Sequence, residues 1–295
     1  MRSSQSVVYQ LGLVVMVAAL SGPAMVRAGE KADVDYRPDI TYATVAGEDL
    51  KLDVATPKGL DHAVPAVVVI HGGGWMGGKR QDMTAIAKET AAHGYVSATI
   101  SYRFAPKHRF PAQIEDVKCA VRYLRAHAKE LNIDPRHIGA MGVSAGAHLS
   151  MMLGTLDSAD GMEGDGGNSD QPSKVQAVVS FVGPVNLIIE NYTETQTQIL
   201  EAFLGGKPKE KEADCRRASP ITYINKGDAP MLCFFGTADP LISYDQAFQI
   251  TNALATAEVP GRVELILGAG HGWLGEELSR TMGATIGFFD QHLKK

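Results

Sequence analysis

The chain has 295 residues, 45% hydrophobic and 21% charged, with a formal net charge of −5 and three cysteines. That apolar content is too high for a disordered chain, the cysteines are too few for a disulfide scaffold, and a mildly acidic balance disfavours nucleic acid and other polyanions as partners. Beyond the N-terminus no apolar run reaches the roughly 20 residues that a membrane span needs.

Residues 1–28 have the layout of an export signal. Arg2 supplies the positive start, residues 11–20 form an apolar run, Ser21, Gly22 and Pro23 break it, and Val26-Arg27-Ala28 offers a cleavage site after Ala28. Cleavage removes Arg2 and Arg27 and no acid, so the mature chain is two units more negative. The expectation is a secreted or periplasmic protein without a membrane span in its mature form.

From there the pattern alternates. Residues 40–45 and 50–56 read as strands on either side of Gly47, and residues 65–71 (PAVVVIH) are a β-branched run typical of a strand buried on both faces. A helix is expected over 81–93, stopped by Gly94, then a strand over 95–102. Ile114, Val117, Val121 and Leu124 place a helical stripe within 111–129. Strand 138–143 is followed by a helix from Ala145. Strands 175–182 and 230–236, a helix over 243–257, a strand over 263–267 and a helix over 276–293 complete the chain. Such alternation implies a mainly parallel sheet covered by helices on both faces, in one domain over 29–295. Two stretches interrupt the rhythm. Residues 157–173, Gly-rich and acidic, read as a solvated loop without the spacing of a calcium loop. Residues 186–219, with a helical piece near 198–204, form a cap-like insertion able to cover a pocket.

The chemistry centres on Gly142-Val-Ser144-Ala-Gly146, lying between a buried strand and a helix. A serine becomes a nucleophile when a tight turn projects its hydroxyl toward a base. The helix from Ala145 aims free N–H groups at the place where negative charge develops. His71-Gly72-Gly73-Gly74-Trp75 follows an earlier buried strand, and the amides of Gly73 and Gly74 are expected to join that of Ala145 in an oxyanion hole.

These residues carry a resemblance. HGGGW at 71–75, SYRFAP at 101–106, FPAQIEDV at 110–117, NIDPRHIG at 132–139, GVSAGAHL at 142–149, GTADPL at 236–241 and GAGHGW at 268–273 resemble the α/β-hydrolases. Within that fold they are similar to the hormone-sensitive-lipase-like and the feruloyl and acetylxylan esterase-like (BD-FAE type) carboxylesterases. Ala147 and Phe235 depart from the usual motifs, which have Gly and His there. The resemblance implies an eight-stranded sheet and a serine carboxylesterase acting through an acyl-enzyme on short acyl esters, acetyl or feruloyl esters of plant-wall sugars among them. It implies no cofactor and no metal, and a small-molecule or oligosaccharide ester as partner. A prolyl-oligopeptidase-type peptidase and a non-catalytic homologue that binds glycans or partners are the alternatives.

The acid is assigned to Asp239, in the loop after strand 230–236; Asp214 and Asp228 precede that strand. The base is assigned to His271, between glycines after the last strand. The order Ser144, Asp239, His271 is the one this fold requires. Trp75 and Trp273 flank the oxyanion loop and the base, where they would either stack on substrate or simply pack. Arg103 and Asp116 read as a structural pair. His148 either lines the pocket or packs, and the pairing of Cys119, Cys215 and Cys233 stays open.

Overall fold

A computed structural model describes residues 31–294. The export-signal reading of residues 1–28 lies outside the described residues. The strands are β1 (Val34–Val45), β2 (Glu48–Pro57), β3 (Val64–Ile70), β4 (Val96–Ile100), β5 (Ile133–Val143), β6 (Ala177–Phe181), β7 (Met231–Gly236) and β8 (Gly261–Ile266). They form one sheet in the order β1-β2-β4-β3-β5-β6-β7-β8. β1 pairs antiparallel with β2, and β2 antiparallel with β4; every later pairing is parallel. The helices are α1 (Thr84–Ala92), α2 (Ala112–Ala126), α3 (Ala128–Leu131), α4 (Ala145–Thr155), α5 (Glu194–Leu204), α6 (Glu212–Arg217), α7 (Asp245–Thr256) and α8 (Gly275–Leu293).

The β-branched run of β3 explains the central sheet. Ala66, Val68 and Ile70 enter one core with α2, α4, α5 and α7, whereas Val67 and Val69 enter a second with α1 and α8. Alternate residues of one strand feed two layers because the side-chain period is two. All eleven residues of α4 are buried, so its small and sulfur-containing side chains suit a helix wedged against the sheet. β1 begins six residues earlier than the pattern over 40–45 suggests. Polar side chains on an edge strand hide its alternation.

Two polar clusters hold the loops. Asp116 takes a double hydrogen bond from the Arg103 guanidinium, at 2.9 Å from Nε and 2.7 Å from Nη2, and a third from the Arg103 amide. This is the structural pair expected from the sequence. Glu163 accepts from Lys118 Nζ at 2.6 Å and Arg122 Nη1 at 2.8 Å. Residues 157–173 are therefore mostly exposed, but their inner edge is anchored on α2 rather than free in solvent. The thiols of Cys119, Cys215 and Cys233 are all buried and none is in a disulfide. Burial pushes the Cys233 thiol up to about 12, leaving it a small apolar filler. Among the described residues no helix is long and apolar enough to cross a membrane.

Candidate active site

Four loops at the C-terminal ends of parallel strands meet at one point, the usual place for a site in such sheets. Ser144 follows β5, the glycine loop follows β3 beside it, Asp239 follows β7 and His271 follows β8. Ser144 has φ 55° and ψ −120°, a conformation costly for any residue with a side chain. The turn is this tight because α4 presses against β3. A Cβ on Gly146 would lie 2.1 Å from the Ile70 carbonyl oxygen and 2.5 Å from that of His71. Only glycine permits that approach.

The tight turn brings the chemistry into line. His271 Nε2 lies 2.8 Å from Ser144 Oγ, and His271 Nδ1 lies 2.7 Å from Asp239 Oδ2. Asp239 Oδ1 accepts the backbone amides of Leu241 at 2.8 Å and Ile242 at 3.0 Å. Burial works to raise the Asp239 carboxyl's pKa, but the hydrogen bonds from His271, Ile242 and Leu241 outweigh it and hold it below the ordinary value. The acid is thus an anion at neutral pH. Its side chain is 1% exposed, against 23% for His271, so the base reaches solvent and the acid does not.

The glycine loop is held from below. His71 stacks on Tyr102 with ring centroids 4.5 Å apart, and its Nδ1 meets the Gly72 carbonyl at 2.7 Å. Burial lowers the His71 pKa, so a neutral ring orients the loop. Gly73 has φ 115°, and its carbonyl accepts from Met76 and Gly77 to close the turn. Gly74 and Ala145 both line the cavity that contains Ser144 and His271; Gly73 stands one residue behind the wall. The amide of Ala145, in the first turn of α4, has no partner inside the helix.

That cavity has a volume of about 70 Å³, room for a handful of non-hydrogen atoms. Leu187, Ile189, Ile199, Leu200, Leu241 and Ile242 give its wall an aliphatic side. The segment 186–219 contributes Asn186, Leu187 and Ile189 to this wall, and Gln196, Ile199 and Leu200 from α5. Trp75 also lines it, yet its ring is stacked on Phe203 at 4.2 Å and it is only 3% exposed, so neither face is open to a substrate ring. Trp273 does not belong to the wall. It packs beside Phe181 and Phe234, and its Nε1 donates to Thr281 Oγ1 at 2.9 Å. The reading of Trp273 as a substrate contact is corrected: the residue is only partly buried, but it packs against the second core rather than lining the cavity.

His148 is placed as well. Its Nδ1 accepts from Trp75 Nε1 at 3.3 Å, and its Nε2 donates to the Ala218 carbonyl at 2.6 Å. It pins the pocket wall to the segment after α6, away from Ser144's proton. Burial outweighs the Ala218 hydrogen bond and holds its pKa down to about 4. A group depressed in the folded state stabilises the fold above its unfolded pKa, near 6.5, and that stability is lost as pH falls toward about 4. The shift corresponds to roughly 3 kcal/mol. Thermal melts of the wild type should fall more steeply between pH 7 and 4 than those of His148→Gln; parallel profiles would refute this role.

Sequence reasoning missed Asn186, Gln196 and Gln246, which also line the cavity. They come from three separate segments, and no local motif marks them.

A serine on a strained strand-to-helix turn, hydrogen-bonded to His271 and through it to Asp239 at the ends of this sheet's strands, defines the class: the protein has the α/β-hydrolase fold. Within that class the chain belongs to the BD-FAE family, whose profile matches residues 52–254. It is similar to Esterase LipC of Mycobacterium tuberculosis, 31% identical over 216 residues that make up 71% of this chain and 53% of that protein. The chain spans about half the length of the curated relatives it matches. In structure it is similar to a truncated carbohydrate esterase from gut microbiota, with a TM-score of 0.78 and 26% identity over 93% of this chain and 100% of the other. It is also similar to esterase 2 of Thermogutta terrifontis with propionate bound, with a TM-score of 0.70 and 26% identity over 88% of this chain and 93% of the other.

Proposed function

We propose that the protein is a carboxylic-ester hydrolase that cleaves short acyl esters through an acyl-enzyme on Ser144. One observation carries this reading: the hydrogen-bonded series Ser144, His271, Asp239 beside a cavity lined by Gly74 and Ala145. His271 takes the Ser144 proton as Oγ attacks the ester carbonyl. The amides of Ala145, Gly74 and Gly73 stabilise the oxyanion, and His271 then protonates the leaving alcohol. Water repeats the sequence on the acyl-enzyme. Asp239 fixes the imidazole tautomer and stabilises the imidazolium.

The cavity supports a division of the substrate. A space of about 70 Å³ suits an acetyl or propionyl group, whereas a sugar alcohol needs the solvent side, where His271 is exposed. The esterase and carbohydrate-esterase names of the relatives support ester chemistry and, for the alcohol, a carbohydrate. The layout of residues 1–28 supports action outside the cytoplasm.

A panel of p-nitrophenyl acetate, butyrate and ferulate, with acetylated xylan, tests the reading. Acetate should be turned over fastest, and ferulate at least about tenfold more slowly, since forcing a bulky group into so small a space costs about 1–3 kcal/mol. Equal rates for acetate and ferulate would overturn the short-acyl reading. Cleavage of aminoacyl-p-nitroanilides in preference to esters would favour a peptidase. Failure of a fluorophosphonate to label Ser144 would favour a non-catalytic homologue.

A further inference from the structure

Three amide side chains line the cavity beside Ser144, and two of them have both their nitrogen and their oxygen engaged by the protein. Asn186 donates from Nδ2 to Gln249 Oε1 at 2.9 Å and accepts the Ile188 amide on Oδ1 at 2.9 Å. Gln196 donates from Nε2 to the Leu241 carbonyl at 2.6 Å and accepts the Thr193 amide on Oε1 at 2.8 Å. Gln246, in the first turn of α7, differs. Its Oε1 accepts two backbone amides, from Val185 at 2.7 Å and Asn186 at 3.1 Å. Two converging N–H donors demand an oxygen, so the amide cannot be turned round and its Nε2 must be the other end. Among the described residues no acceptor takes a hydrogen bond from Nε2, although the residue is 5% exposed. The Nε2 end is not sealed in the core; it keeps open surface, and the residue stands in the wall of the reaction cavity, where an acceptor can reach it.

We propose that Gln246 Nε2 is a hydrogen-bond donor to the acyl part of the substrate. The cavity would then select short acyl groups that carry an ether, hydroxyl or keto oxygen near the ester carbonyl over alkyl groups of the same length. This rests on the ester-hydrolase reading above and deepens it. The wall around it is largely aliphatic, and Gln246 is the lining amide whose nitrogen makes no hydrogen bond to the described residues, so this donor sets the preference. An alkyl group leaves Nε2 unpaired, whereas an acceptor oxygen in the chain satisfies it, and a site built to hydrogen-bond its substrate discriminates against the analogue lacking the partner atom.

Two esters of equal length make the test: p-nitrophenyl methoxyacetate and p-nitrophenyl butyrate, which differ by one oxygen in place of a methylene. Their intrinsic reactivities differ, so the readout is the ratio of kcat/KM for the two esters, compared between proteins. Gln246→Glu keeps an acceptor for the Val185 and Asn186 amides and loses the donor; Gln246→Met loses both. The methoxyacetate-to-butyrate ratio should fall about tenfold from wild type to each variant, the factor expected for one hydrogen bond. A ratio unchanged within twofold would overturn the proposal. Product inhibition of the wild type needs no variant: methoxyacetate should inhibit several-fold more tightly than butyrate, and equal inhibition would equally overturn it. Failure of the underlying reading looks different. The wild type would then hydrolyse neither ester, and a fluorophosphonate would leave Ser144 unlabelled.

Discussion

Alanine at position 144 is expected to lower kcat/KM for p-nitrophenyl acetate by about 10⁴–10⁶-fold. Ser144 Oγ is the atom held 2.8 Å from His271 Nε2, and alanine removes the only group there that can form an acyl-enzyme. Residual hydrolysis should remain above the uncatalysed rate, because the Gly74 and Ala145 amides still polarise a carbonyl and the cavity still binds the acyl group. The substitution should leave the fold intact. Alanine keeps a Cβ on the strained turn, and the backbone of residue 144 keeps its hydrogen bond from N–H to the Phe181 carbonyl. A variant that melts like the wild type and hydrolyses the ester at the wild-type rate would sink the acyl-enzyme mechanism.

Asp239→Asn should cost about 10⁴-fold in kcat, through the tautomer rather than through geometry. Oδ1 of residue 239 is committed to the amides of Leu241 and Ile242. An asparagine must keep its oxygen toward those two donors, which turns its NH2 group toward His271 Nδ1. That nitrogen then becomes the acceptor, the imidazole proton moves to Nε2, and Nε2 can no longer accept the proton of Ser144. KM should move little, because Asp239 is outside the cavity wall. A loss of less than tenfold in kcat would show that His271 does not depend on this carboxylate.

Much of this site is legible in the sequence because its parts sit on punctuated motifs. Gly146 and Gly142 frame Ser144, and the glycines around His271 mark a loop after a strand. The sheet is legible for a similar reason, since β3 to β7 are apolar runs separated by helical stripes. The polar edge strand β1 is less so. Trp273 shows the limit of reading along the chain. Its nearness to His271 suggests a substrate contact, yet after the turn at Gly272, with φ 135°, its ring packs beside Phe181 and Phe234. His148 could not be decided from sequence either, because its partners, Trp75 and Ala218, are 73 and 70 residues away.

By itself, then, the sequence determined the fold class, the serine turn, the glycine loop and the chain order of Ser144, Asp239 and His271, all properties written in local spacing and strand–helix alternation. Tertiary structure decided the size of the cavity, the use of α5 in its wall, the packing of both tryptophans and the open Nε2 of Gln246. Those depend on which side chains from separate segments converge, and on which hydrogen bonds remain unmade after the backbone has taken its share.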